Sequence, residues 1–306
     1  MKLGMMRPAI AKEMCMSTII DFLFGPFAEF AFMRHALVGS AVLALGACPV
    51  GVFLMLRRMS LAGDALSHAI LPGVAIGFLS MGLSLIPMAL GGLAAGLIVA
   101  LLSGIVARAT VQKEDASLAA FYLISLALGV ALISLRGNSV DLTHILFGTV
   151  LALDQQSLLM IGAVASVTLV TIAVMWRALV LECLDPTFFR TVSRAGPLTH
   201  SVFLVLVVLN LVGGFQALGT LLCVGLMMLP AAAARFWSQR LEPICAIAIA
   251  IGLVSSWWGL LVSYHLNLAA GPSIILVAGG FYIASLLFSP RGLFGQKPKR
   301  AQHKEA

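Results

Sequence analysis

The chain has 306 residues, 61% of them hydrophobic and only 10% charged, with a mean hydropathy of +1.07 and a formal net charge of +7. A water-soluble globular protein could not expose so apolar a composition without aggregating, so the chain belongs in a membrane. The apolar runs are continuous, which excludes the alternating pattern of a membrane β-barrel, and the positive charge needs no nucleic-acid partner because its place in the loops accounts for it.

Taken in order, residues 1–33 form an N-terminal extension and interfacial segment. MSTIIDFLFGPF, starting at Met16, reads as the natural beginning of the protein. Apolar stretches then fall at 35–56, 64–81, 87–107, 117–135, 156–176, 200–217, 219–234, 243–263 and 272–288. Crossing ~30 Å of hydrocarbon takes ~20 helical residues. The sequence therefore predicts an all-α polytopic bundle of nine spans, or eight if the short run at 219–234 does not cross. A single transmembrane domain over 34–290 is followed by a basic tail, 291–306.

Lys and Arg are retained on the cytoplasmic side. Alternate loops and the tail hold 14 of the 19 basic residues, from Arg57 and Arg58 to Lys304, while the opposite loops between spans hold only Arg136. The C-terminus is thereby placed inside. The five cysteines form no CxxC and read as small apolar packing residues.

One span carries charge. In MSLAGDALSHAILPG, residues 59–73, Asp64 and His68 are four apart and share a helix face. An Asp at the centre of a bilayer helix costs ~2.5–3.5 kcal/mol, so such residues face a protein interior or a wet path. By the predicted boundaries Asp64 is the only carboxylate in any span. Ser60 and Pro72 extend the stripe, with Ser67 beside it, and Pro72 deprives the His68 carbonyl of its helical donor. Carboxylate, imidazole and free carbonyl make a way-station for a divalent cation, and the incomplete shell suits an ion that must be released. The alternative is that Asp64 and His68 pair with each other to hold helices together. At the far end of span eight, His265 and Asn267 are candidates for an outer cation-meeting element, or for plain solvated side chains. His144 with Asp141 is a weaker pair, and a helix cap accounts for Asp141.

RRMSLAGDALSHAILPGVAIGFL (57–79) resembles the signature of the membrane subunits of zinc, manganese and chelated-iron ABC importers. EDASLAAFYLISLALGVALIS (114–134), ILFGTVLAL (145–153), GTLLCVGLMMLPAAAARFWS (219–238) and GLLVSYHLNLAAGPSIIL (259–276) are similar to later blocks of that family, in order. The resemblance implies a type II-like importer bundle in a bacterial plasma membrane. It also implies two copies of this chain, two cytoplasmic ATP-binding subunits and an extracytoplasmic metal-binding protein. The chain departs from the family pattern at Thr149 and Asn267, where an acid is frequent. Losing oxygen ligands while gaining His265 favours zinc over manganese or iron as the transported ion.

The chain has no GxxxxGK[ST] loop, and no Lys lies between 113 and 297 to serve one, so ATP hydrolysis is expected in a partner chain. The loop LECLDPTFFRTVSRAGPLTH (181–200) offers Asp185 as N-cap, Pro186 at the first helical position, and a stop at Gly196-Pro197. It resembles the family's coupling helix, at about 185–195. Phe188 and Phe189 would sit in a cleft of the ATPase, with Arg190 and Arg194 orienting them. The expected function is a permease subunit for a divalent metal, working by alternating access without a permanently bound cofactor. A proton-coupled secondary carrier with Asp64 as relay is the rival. An intramembrane hydrolase is disfavoured, since neither HExxH nor GxSxG occurs.

Overall fold

The computed structural model describes residues 22–82, 84–134, 153–185, 188–189, 191, 193 and 195–293. The proposed start at Met16, the Asp141–His144 pair, Thr149, the tail beyond 293 and the coupling-segment residues Pro186, Arg190 and Arg194 lie outside these. Every described element is a helix. A short helix α1, residues 22–29, precedes α2 (Ala31–Leu56), α3 (Ala62–Ala69), α4 (Leu71–Met81), α5 (Leu85–Ala109) and α6 (Glu114–Ser134). After the next described stretch begins come α7 (Gln155–Leu184), α8 (Gly196–Leu218), α9 (Thr220–Ala234), α10 (Leu241–Leu266) and α11 (Ala270–Phe288).

Eight helices among the described residues are long and apolar enough to cross a membrane, with α3 and α4 counted as one span, Ala62–Met81. All eight fall on predicted runs. The ninth, α9, has 15 residues and a length of only about 22 Å. It follows α8 after a single residue, Gly219, whose φ of 89° reverses the chain in a conformation that side chains disfavour. From there α9 returns through the interior, with Leu222, Cys223, Leu226 and Met227 buried against α2, α10 and α11. Its last turn leads to Arg235, which shares a cleft with Arg57 and Glu182. A helix walled in by protein on this many sides does not have to match the bilayer thickness.

Two contacts position the charged span. Gly73 of α4 lies directly against Gly91 of α5, leaving no room for a Cβ on either. Gly92 and Gly96 of α5 meet Val74, Ile70 and Val208, so this small-residue pair packs within the chain. On the other flank, Ser125 of α6 donates to the Ala69 carbonyl at 2.8 Å, and Gly129 of α6 faces Pro72. A buried polar node holds the core: Asn210 Nδ2 donates to Thr168 Oγ1 at 2.7 Å and to the Leu206 carbonyl at 2.8 Å.

Candidate functional site

The α3–α4 span breaks at Ile70, two residues before Pro72. Pro72 cannot donate back to His68, while the Ile70 N–H keeps its bond to the Leu66 carbonyl at 3.3 Å and Val74 donates to Ile70 at 3.1 Å. The chain resumes as α4 with Pro72 in its first turn, where a missing N–H costs nothing. Two expected path-lining residues are not on the exposed stripe. Pro72 is buried against α6. Ser67 is also buried, its hydroxyl donating to the Asp64 carbonyl at 2.7 Å. Ser60, in the turn before α3, is exposed as the stripe required.

Asp64 and His68 remain on one face of α3, with His68 Nε2 3.8 Å from Asp64 Oδ1. That is an ion-pair distance but too long for a hydrogen bond. His68 Nδ1 is buried without a hydrogen-bond partner, and its ring lies 6.3 Å from that of Tyr122. The Asp64 side chain is 66% exposed on the outside of the single chain and that of His68 32%. Their height follows from their neighbours: Tyr122 and Ser125, beside His68 and Ala69, are the ninth and twelfth of the 21 residues of α6. Gly96, beside Ile70, is the twelfth of 25 in α5. His68 therefore sits near mid-height in the bundle, and Asp64 one turn nearer the end that holds Arg57. The turn over 57–61 stays at that end, where Arg57, Arg58 and Met59 share a cleft with the last turns of α5 and the first turn of α6.

Among the described residues no group of three or more His, Cys, Asp or Glu is arranged to hold a metal ion. One chain thus supplies at most a carboxylate and an imidazole here. His265 and Asn267 are not brought to this pair, since they close α10 at its far end. The His265 ring stacks on Phe22 of α1, with centroids 4.0 Å apart and planes 7° apart, and its Nε2 lies 3.4 Å from the Phe22 carbonyl. Asn267 takes a left-handed conformation, φ 52°, and ends α10. Asn tolerates that cap position, a signal legible in the sequence beside the ligand reading.

At the opposite end, Asp185 caps the start of the 185–195 segment, accepting from the Phe188 N–H at 2.9 Å. The two aromatics part company. Phe188 is 53% exposed, but Phe189 is 6% exposed and packed into the chain, so only one of the expected pair is free to enter a partner's cleft.

Hydropathy ends the fifth span before Arg177, yet α7 runs on to Leu184 and carries Glu182 in its last turn. Glu182 is buried and pairs with Arg57 at 3.2 Å. The expectation that Asp64 is the only carboxylate within the spans is corrected by this, and also by Glu114 in the first turn of α6. Arg57, Glu182, Glu114 and His200 line one cleft of about 1140 Å³. The continuing apolar run at Leu179, Val180 and Leu181 was the available sign that the helix goes on past Arg177.

The ABC 3 transport family model matches residues 29–289. A manganese import system permease protein, ScaB of Streptococcus parasanguinis, is 33% identical over 89% of this chain and 96% of its own length. A manganese transport system membrane protein, MntC of Halalkalibacterium halodurans, is 32% identical over 89% of this chain and 92% of its own length. The solved structure of PsaBC from Streptococcus pneumoniae in complex with Fab matches with a TM-score of 0.78 at 32% identity. It covers 89% of this chain and 97% of that one.

Proposed function

The chain belongs to the ABC 3 transport family, and from that premise we propose that it passes manganese(II) inward along a path formed between two copies of itself. The coarser statement stands without the proposal. This is a polytopic permease subunit of an ATP-binding cassette metal importer, and ATP hydrolysis belongs to a separate subunit.

One observation carries the reading: a carboxylate and an imidazole lie on the outer surface of the single chain, between mid-height and the Arg57 end, on an otherwise apolar span. Facing lipid tails, Asp64 would cost ~2.5–3.5 kcal/mol. Facing the same patch of a second copy across a two-fold axis, it would meet another Asp64 and another His68. Four side-chain ligands, two oxygens and two nitrogens, then become available where one chain offers two. The unpartnered His68 Nδ1 and the loose 3.8 Å spacing to Asp64 leave ligand capacity unspent. The two carboxylates would offset the charge of an arriving dication and hold it until the site opens inward.

The choice of metal rests on two supports. Both relatives described above are named as manganese transporters. The sequence argument for zinc leaned on His265, which stacks on Phe22 far from Asp64 and adds no nitrogen to this set. A site of mixed carboxylate and imidazole accepts manganese, the metal that tolerates hard oxygen ligands better than zinc does. In the same reading the C-terminus is cytoplasmic, Phe188 docks on the ATPase, and an extracytoplasmic binding protein delivers the ion at the α10–α11 end.

The test is ATP-driven uptake into proteoliposomes by the complex of two copies of this chain with its ATPase and binding protein. Manganese should enter and be poorly displaced by equimolar zinc. Uptake of zinc with exclusion of manganese would overturn the metal assignment, and uptake driven by a proton gradient without ATP would overturn the mechanism.

A further inference from the structure

The segment that would receive the push of the ATPase is flanked by two turns, one carrying half of an ion pair and the other an imidazole set against a carboxylate. Glu182, three residues before Asp185, is in the last turn of α7. His200, five residues after Ala195, is near the start of α8. Glu182 Oε1 meets Arg57 Nη2 at 3.2 Å, and Arg57 caps α2 seven residues before Asp64. His200 Nε2 lies 3.2 Å from Glu114 Oε1, in the first turn of α6. Helix α6 in turn holds Ala69 through Ser125 and flanks His68 with Tyr122. The Arg57 guanidinium also covers the Phe203 ring at 4.9 Å, joining the two routes one turn beyond His200. Both ends of the 185–195 segment are thus tied through polar contacts to the helix that bears Asp64 and His68, one through the α2–α3 turn and the other through α6.

We infer that Arg57, Glu182, His200 and Glu114 form an ionic yoke that transmits movement of the 185–195 segment to the Asp64–His68 face. The inference rests on the reading of that segment as the ATPase contact. These four are positioning residues; none is placed at the metal. Their chemistry suits transmission better than simple bracing. Arg57 and Glu182 are almost fully buried, yet they share a single contact, and Arg57 Nη1 and Glu182 Oε2 have no hydrogen-bond partner. A permanent brace in such surroundings would be expected to pair both oxygens with both nitrogens, because buried polar atoms left unmatched are costly. A half-made pair is one that a small shift of α7 can strengthen or break. That gives the α2–α3 turn two discrete positions, the kind of two-state element that coupling requires. Apolar contacts along α7 alone would brace the bundle without offering that choice.

The test measures ATP hydrolysed per manganese ion imported by the full complex, for Glu182→Gln and for the double variant Arg57→Met/Glu182→Leu. The double variant leaves no lone buried charge, so its packing and assembly are retained. The yoke predicts that both variants assemble and hydrolyse ATP while the ATP cost per ion rises about tenfold, within the range typical of coupling between separated sites. If hydrolysis and uptake fall together and the ratio keeps its wild-type value, the pair is only a brace and the inference is overturned. Should Glu182→Gln fail to assemble, Glu182→Asp, which keeps the charge and shortens its reach, must raise the same ratio. Phe188→Ala separates the inference from its parent reading. Wild-type binding of the ATPase by that variant removes the parent reading and the yoke together; lost binding with an unchanged ratio in the Glu182 variants removes the yoke alone.

Discussion

Replacing Gly73 by Ala tests how the charged span is held. Its backbone lies against Gly91 of α5, and a Cβ there would run into the Gly91 carbonyl and come within 2.8 Å of Ala95 Cβ. The first obstacle is main chain, so no rotamer change relieves it. Restoring ordinary contacts of ~3.5 Å requires α4 and α5 to part by about 1.5 Å. Overpacking of this kind costs about 1–3 kcal/mol, against about 1 kcal/mol gained from Ala over Gly in a helix. The net expectation is a loss of up to about 2 kcal/mol. Because α4 continues α3, the shift also reaches His68 and Asp64, and uptake should fall along with stability. Gly162 of α7, with nothing within 4 Å of its Cβ position, is the matched control; there Ala should stabilise by about 0.5–1 kcal/mol. Thermal midpoints of the purified complex in one detergent give the answer. A Gly73→Ala protein as stable as wild type, or both variants moving in the same direction, would refute the close-packing argument.

Phe188→Ala should abolish co-purification of the ATPase while leaving the thermal midpoint near wild type, because its ring is largely exposed; Phe189→Ala should lower the midpoint, in keeping with about 3–5 kcal/mol for a buried Phe. Equal effects of the two on ATPase binding would show that both rings dock. Asn210→Leu removes the donor to Thr168 and Leu206 in a site where Gly46 leaves no space, and should cost about 1–2 kcal/mol in the same thermal assay. An unchanged midpoint would mean the polar node contributes nothing.

All nine apolar runs were legible because each coincides with helix over nearly all its described residues, the run 64–81 as the pair α3 and α4, and Gly219 with the short run after it marked the one helix that is too short to span alone. Asp64 and His68 stood out because a charge in an apolar span has few uses. Less legible was whatever depends on how helices face one another. Pro72 signalled a lost hydrogen bond, but not that Pro72 would be buried against α6, nor that Ser67 would bond to its own helix. Glu182 was hidden because Arg177 depresses local hydropathy while the helix continues, and a partner 125 positions away neutralises the buried charge. Phe188 and Phe189 are adjacent, and the opposite fates of their rings follow from tertiary packing that the sequence pattern does not encode.

The account depends most on the idea that two copies of one carboxylate and one imidazole make the ion's resting place. Equilibrium binding of manganese(II) to the assembled transporter, wild type against Asp64→Asn, tests it most directly. The expected result is one ion bound for every two permease chains, lost in the variant while assembly and ATPase binding persist. Retention of that ion by the variant, or an ion for each chain in the wild type, would contradict it.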